Sequence, residues 1–212
     1  MTDGEQGQYF AQRPTVPSEP VAIEVKVRGR RLRFMTDRGV FSYGRADPGS
    51  RLLAEQMRLP DEGEFLDWGC AWGLVGVVAA SARPRLRVTL VDINERACEL
   101  ARENLRRNAV EGEVLCGDAA EALGERQFDL IASNPPISAG RAAVLALFGH
   151  AARALRPAGS FWMVAATKKG AKTLARELEA RFVRVEQTAM RGGYRVYRAD
   201  EPIDREADDR DQ

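Results

Sequence analysis

The chain has 212 residues, is 44% hydrophobic and 30% charged with a formal net charge of +1, and so fits one globular domain with a sizeable core and small additions. No uninterrupted apolar run approaches the roughly 20 residues that span a bilayer, and Met1 to Gln8 is polar with no apolar core; membrane and secreted classes are set aside and a cytoplasmic protein is expected. Three cysteines (Cys70, Cys98, Cys116) are odd in number and lack metal-ligand spacing, so neither a disulfide framework nor a metal centre is expected.

Met1 to Pro20 is rich in Gln, Gly and Pro and reads as a flexible segment. Ala22–Arg28 and Arg31–Met35 alternate at period two around Gly29, which predicts a β-hairpin. From Val21 to Arg51 there are eight basic and three acidic residues, a local net of +5 that suits a phosphate-bearing partner; the prevalence of arginine along the whole chain leaves a coding bias equally able to explain it. A glycine-dotted connector, Thr36–Ser50, carries Phe41 and Tyr43, and Arg51–Arg58 reads as a short helix ended by Pro60. Residues 21–60 thus form a hairpin-and-connector unit ahead of a main domain, 61–199.

Strand and helix then alternate. Strands are predicted at Glu64–Trp68, Leu86–Asp92, Glu113–Cys116, Phe128–Ser133 and Ser160–Ala165, with helices near Leu74–Ala82, Glu95–Asn108, Ala119–Leu123 and Arg141–Leu155. A further helix, Ala171–Arg181, precedes strands Val183–Thr188 and Tyr194–Arg198, joined through Arg191-Gly192-Gly193. This order implies an α/β fold: a mostly parallel sheet wound with helices on both faces, closed by an antiparallel last strand. Residues 200–212 carry seven acids and two arginines, and read as a disordered acidic tail.

Two places in this frame carry chemistry. Asp67-Trp68-Gly69-Cys70-Ala71-Trp72-Gly73 is a strand end and glycine-rich turn, where Gly69 and Gly73 let backbone approach a ligand and Gly76 lets the following helix pack tightly. Asp92 ends the next strand, where an acidic residue binds the ribose hydroxyls of a nucleoside. Asp67 would repel phosphate and suits an ammonium-bearing cofactor. The second place is Asn134-Pro135-Pro136-Ile137, which leaves Phe128–Ser133 on a stiff path. Without proline N–H groups, nearby carbonyls lack those intrachain donors, and Asn134 adds a side-chain oxygen; a rigid set of acceptors at a strand end suits an exocyclic amine.

These motifs in this order, with Val91-Asp92-Ile93-Asn94 and Gly117-Asp118, resemble class I S-adenosylmethionine-dependent methyltransferases. More narrowly, they are similar to the methyltransferase small domain family, which includes small-subunit ribosomal RNA guanine-N2 methyltransferases. The likeness continues in Thr36–Ser42, Asp47–Leu53, Thr167–Lys172 and Gly192–Val196 and covers about Tyr9 to Arg198, closest to the single-domain members. It implies a Rossmann-like fold with a seven-stranded sheet. It implies S-adenosylmethionine as cofactor, held by Asp67 near the amino group, Gly69, Ala71 and Gly73 along the methionine part, Asp92 and Ile93 at the ribose, and Asp118 at the adenine amino group. Trp68 reads as core and Trp72 as a residue able to cover the cofactor.

In this family the Asn134 oxygen and the Pro135 carbonyl would each accept one N–H of the target amine, and no strong base is required; the only histidine, His150, reads as structural or exposed. Pro136 and Ile137 would touch the base. Ile137 stands where many amino-methylating relatives have an aromatic residue, which argues against DNA-adenine or protein-glutamine enzymes. Phe41 and Tyr194 are candidates for stacking on the base, equally readable as core filling. Arg141 and Lys168 are candidates for phosphate, equally readable as solvated helix-start residues. Ala71 replaces the family's usual glycine and is tolerated if its φ is negative. Cys70 and Cys116 sit on the cofactor side and are rejected as nucleophiles, and Cys98 reads as helix packing. The expected partner is RNA, with a monomer or weak dimer and no membrane; methylation of a protein glutamine or small amine, or a non-catalytic RNA-binding role, are the alternatives.

Overall fold

In a computed structural model that describes residues 11–203, β1 (Val21–Val27) and β2 (Arg30–Thr36) form a separate antiparallel hairpin. Its turn, Arg28-Gly29, has positive φ at both central residues (49° and 73°), the geometry that matches the twist of tightly joined strands. Val25, Val27, Leu32 and Phe34 point inward and are buried. Arg28 is structural: its guanidinium donates to the carbonyls of Ala54 (2.6 Å) and Met57, satisfying the end of α1 (Pro48–Gln56).

The main sheet contains β3 (Glu62–Trp68), β4 (Arg85–Asp92), β5 (Glu113–Cys116), β6 (Phe128–Ser133), β7 (Leu155–Ala166), β8 (Phe182–Arg191) and β9 (Tyr194–Pro202) in the order β5-β4-β3-β6-β7-β9-β8. β9 lies between β7 and β8 and runs against both; the remaining pairs are parallel. The expected α/β sheet with an antiparallel last strand is what forms. Between the strands run α2 (Leu74–Ala82), α3 (Glu95–Arg107), α4 (Ala119–Leu123), α5 (Arg141–Ala154) and α6 (Ala171–Glu179). Alternate strand residues serve opposite faces: Phe65, Leu90 and Leu130 join a core with the hairpin and α1–α3, whereas Leu66, Val91 and Ile131 join a second core with α5 and α6.

Among the boundaries that differ from the sequence reading, three have a clear physical cause. α1 starts at Pro48, not Arg51, because Asp47 caps it, its carboxylate accepting the Ser50 N–H at 2.7 Å, and proline suits the first helical turn. β7 begins at Leu155, where the register with β6 shifts between Phe128 and Leu130 and Arg156 reaches Asp129 at 2.5 Å. β9 runs on through Asp200, Glu201 and Pro202, residues expected in the acidic tail. Flanked by strands on both sides, it gains ladder bonds along its length, while Arg184 and Arg198 balance Glu201 (2.6 Å) and Asp200 (2.9 Å).

Residues 11–20, read as part of a flexible segment, make specific contacts. The Gln12 carbonyl accepts the Glu95 N–H (2.9 Å), Arg13 pairs with Glu95 (2.9 Å), and Arg96 donates to the Val16 carbonyl (3.0 Å). Asp37, buried, gathers the Ser18 hydroxyl and the Glu19 N–H, both at 2.6 Å. The flexible and tail readings for residues 1–10 and 204–212 lie outside the described residues.

Candidate active site at the carboxyl edge of the sheet

The strand order reverses between β3 and β6, neighbours whose connections lead away on opposite sides, and ligands of open α/β sheets bind at such a crevice. The glycine turn sits here. The N–H groups of Gly69 and Cys70 both reach the Val91 carbonyl (2.9 and 3.0 Å), binding the turn to the end of β4. A Cβ built on Gly69 would meet nothing within 4 Å, so the turn borders open space. At Gly76 the opposite holds: a Cβ would lie 2.6 Å from Leu90, and the bare backbone lets α2 sit close on β4. The Gly76 N–H thereby reaches the Asp67 carboxylate at 2.8 Å.

Asp67 is 3% exposed. Burial pushes its carboxyl up to about 7, against the pull of the Gly76 N–H, and the nearby Asp92 raises it further. Asp92 is also raised by burial, offset by N–H groups of Asn94, Ala71 and Ile93. One Asp92 oxygen accepts the Ala71 N–H (2.8 Å) and the other the Asn94 N–H (2.9 Å), leaving lone pairs on each for a ligand. Ile93, beside it, is 41% exposed. Asp118 is exposed and caps α4, accepting from Ala120 (2.9 Å) and Glu121 (3.3 Å).

Two residues of the turn depart from expectation. Ala71 has φ of +49°, not a negative value: its N–H is turned to Asp92, and the left-handed backbone is what that bond requires. Trp72 does not cover the crevice. It is 2% exposed, with its ring 5.1 Å from Phe34 of the hairpin, and its indole N–H is buried without a partner among the described residues. Trp68 is core, as expected, and stacks on His150 at 6.2 Å.

Across the crevice, β6 ends in Asn134-Pro135-Pro136-Ile137. The Ser133 hydroxyl donates to the Trp68 carbonyl (2.9 Å), joining β6 to β3 at the strand ends. Pro136 has φ −76° and ψ 70°, an inverse γ-turn. In consequence the Ile137 N–H reaches the Pro135 carbonyl at 2.8 Å, and the Ala139 N–H the Pro136 carbonyl at 2.9 Å. These carbonyls therefore have intrachain donors, contrary to the sequence reading, and Pro135 retains one lone pair rather than two. Asn134, half-buried, donates through Nδ2 to Asp47 (3.1 Å) and Ser50 (2.9 Å).

Tyr194, at the start of β9, is brought to the same edge; its hydroxyl lies 3.4 Å from Asp47, and its ring packs so closely on Gly49 that a Cβ there would be 2.6 Å away. Phe41 is 39% exposed in the connector. Lys168, exposed in the turn Thr167–Lys169 after β7, has no carboxylate partner among the described residues. Arg141 is committed to an ion pair with Glu177 of α6. Cys70 and Cys98 are buried, with burial pushing both thiols up. Asp47 and Ser50 reach the same edge through Asn134; the sequence reading included them in the family-like stretch Asp47–Leu53 but gave them no role, the missed signal being Asp47-Pro48, a helix start, in a stretch read as connector.

Among known proteins, the Escherichia coli (strain K12) ribosomal RNA small subunit methyltransferase C is 34% identical over 200 residues, covering 91% of this chain and 57% of its own. The Bacillus subtilis protein YbxB is 34% identical over 194 residues, 90% of this chain and 96% of its own. A solved structure, the T. thermophilus 16S rRNA N2 G1207 methyltransferase (RsmC) in complex with AdoMet and guanosine, superposes with a TM-score of 0.76 at 31% identity, over 89% of this chain and 52% of that one. The chain thus spans about half the length of the ribosomal RNA methyltransferases it matches. Residues 31–198 match the family model described as Methyltransferase small domain, and the chain belongs to that family.

Proposed function

We propose that the chain transfers a methyl group from S-adenosylmethionine to an exocyclic amine, the N2 of a guanine in ribosomal RNA. The observation that carries this is the pairing of two half-sites across one crevice: buried Asp67 and half-buried Asp92 beside an open glycine turn, and Asn134 opposite them with its amide oxygen unbonded among the described residues. The cofactor half fits its ligand. Open space at Gly69 admits a methionine chain, an ammonium would favour the ionised form of Asp67, Asp92 has lone pairs for two hydroxyls, and exposed Ile93 offers an apolar surface for a base. Asp118 is assigned to the adenine amino group.

S-adenosylmethionine, when bound, supplies an electrophilic sulfonium methyl. The protein's part is positioning and charge stabilisation. The Asn134 oxygen and the remaining lone pair of Pro135 accept the two amine protons, turning the nitrogen lone pair towards the methyl and stabilising positive charge as it develops. No base is needed before attack, because the alkylated amine is far more acidic. His150 stacks on Trp68 and is assigned no part in proton transfer. Pro136, Ile137 and the Tyr194 and Phe41 rings are assigned to the base, and Lys168 to phosphate. Arg141, paired with Glu177, is a weaker candidate for phosphate than the sequence implied.

Replacing Asn134 with alanine is expected to cut methyl transfer to small-subunit RNA by at least ~100-fold, the scale of losing one such acceptor, while calorimetric affinity for S-adenosylmethionine changes little. Full activity in that variant would remove Asn134 from the mechanism. The non-catalytic reading draws on Ala71, whose positive φ strains the turn; absence of S-adenosylmethionine binding by the wild-type protein would favour it. Mass spectrometry of ribosomal RNA with and without the protein identifies the methylated nucleotide.

A further inference from the structure

The first turn of α1 faces the end of β6, and the contacts between them form a closed set. One Asp47 oxygen, Oδ2, accepts three hydrogens: from the Ser50 N–H (2.7 Å), the Ser50 hydroxyl (3.2 Å) and Asn134 Nδ2 (3.1 Å). The Ser50 hydroxyl, having given its proton to Asp47, accepts from Asn134 Nδ2 at 2.9 Å. The Asn134 amide nitrogen thus faces both acceptors at once, and its oxygen accepts nothing among the described residues. Turning the amide over would set its oxygen against the Asp47 carboxylate, acceptor to acceptor, so one orientation is strongly favoured. Helix capping accounts for the bond from Asp47 to the Ser50 N–H; it does not account for a reach to a residue 87 positions away.

We infer that Asp47 and Ser50 are positioning residues for methyl transfer: they lock the Asn134 amide with its oxygen towards the acceptor amine. The inference rests on the methyl-transfer reading above. It makes α1, outside the alternating β/α core, part of the catalytic unit. Tyr194 belongs to the same set, its hydroxyl on the other Asp47 oxygen, so the surface assigned to the base is tied to the residue that orients the amine. The lock also explains why Asn134 need not be fully buried to hold a single rotamer: two fixed acceptors on a helix start do what packing does elsewhere.

The test compares Asp47→Ala, Ser50→Ala and the conservative Asp47→Asn, assayed with S-adenosylmethionine and small-subunit RNA. Asp47→Ala and Ser50→Ala are expected to lower kcat by ~10- to 100-fold, the scale of a misplaced acceptor, with calorimetric affinity for S-adenosylmethionine within about threefold of wild type. Asp47→Asn keeps an oxygen for the Asn134 amide and for the cap, and is expected to recover most of the lost turnover. A purely structural role would lower stability without this split between kcat and cofactor affinity, and wild-type kcat in Asp47→Ala would overturn the inference. A second measurement needs no substrate: in amide NMR of the free protein, the Asn134 side-chain protons should exchange slowly in wild type and fast in Asp47→Ala. Equal exchange in the two would sink the lock itself. Slow exchange in a wild-type protein that methylates no RNA would instead uphold the lock and refute the methyl-transfer reading.

Discussion

Ala71 holds a left-handed backbone, φ +49°, that costs an alanine about 1–2 kcal/mol, and the bond from its N–H to Asp92 offsets that cost. Glycine would adopt the same shape freely, though it gives the unfolded chain more freedom. Ala71→Gly is therefore expected to raise stability by about 1 kcal/mol, or ~2–4 °C in the melting temperature of a chain this size; an unchanged or lower melting temperature in calorimetric scans of the cofactor-free protein would refute the strain. At this scale the sequence was half legible. The placement of Asp67, Asp92 and Asn134 at neighbouring strand ends could be read from type and position, since a strand end and a glycine turn dictate their neighbours. The sign of φ at Ala71 and the burial of Trp72 depend on Asp92 and Phe34, 21 and 38 residues away in sequence (92 − 71 and 72 − 34), and no local pattern encodes them.

Elements meet through asparagines as much as through apolar faces. Asn104 of α3, fully buried, accepts the Met35 N–H (2.7 Å) and donates to the carbonyls of Met35 (2.9 Å) and Trp72 (2.8 Å). One turn on, Asn108 repeats the pattern at Arg33, accepting at 3.0 Å and donating at 2.8 Å. The helix thus pairs with β2 as a neighbouring strand would and fixes the glycine turn to the hairpin. Asn104→Ala would leave three backbone groups unpaired in the interior and is expected to cost about 3 kcal/mol or more in urea unfolding; Asn108→Ala, nearer the surface, should cost under about 1.5 kcal/mol. Similar costs for the two would deny Asn104 its special place. The strand–helix alternation itself was legible because period-two and helical patterns are local. The early start of α1, the long β7 and the long β9 were not, because a cap read as connector, a register shift and flanking strands set them.

On the scale of the whole molecule, the buried acid of the crevice makes stability depend on pH. With its carboxyl pushed up to about 7, Asp67 keeps its proton in the folded protein at pH values where the unfolded chain, near the ordinary 3.8, has released it. The stabilisation this gives is complete below about pH 4 and is lost as pH rises through about 7, on the order of 4 kcal/mol at most. Wild type should therefore lose stability relative to Asp67→Asn as pH rises from about 4 to about 7, the ~3 pH steps between the two values, and saturating S-adenosylmethionine should shrink that difference by favouring the charged form. Parallel pH profiles for the two proteins would rule this out. The sheet with helices on both faces could be read from the order of elements. That the start of the first helix joins Asn134 of the middle of the sheet to Tyr194 of the last strand could not.

That cluster has a consequence for how the protein comes into being. Asp47 touches Asn134 87 residues along the chain and Tyr194 147 residues along. A chain growing from its amino end can complete the glycine turn and its acidic partners while most of the later strands are still unmade. The corner held by Tyr194 arrives only when β9 slides between β7 and β8, a long-range closure of the kind that slows folding. The half-site proposed for the methyl donor can therefore exist before the half-site proposed to orient the amine, and the proposed chemistry waits for the final strand.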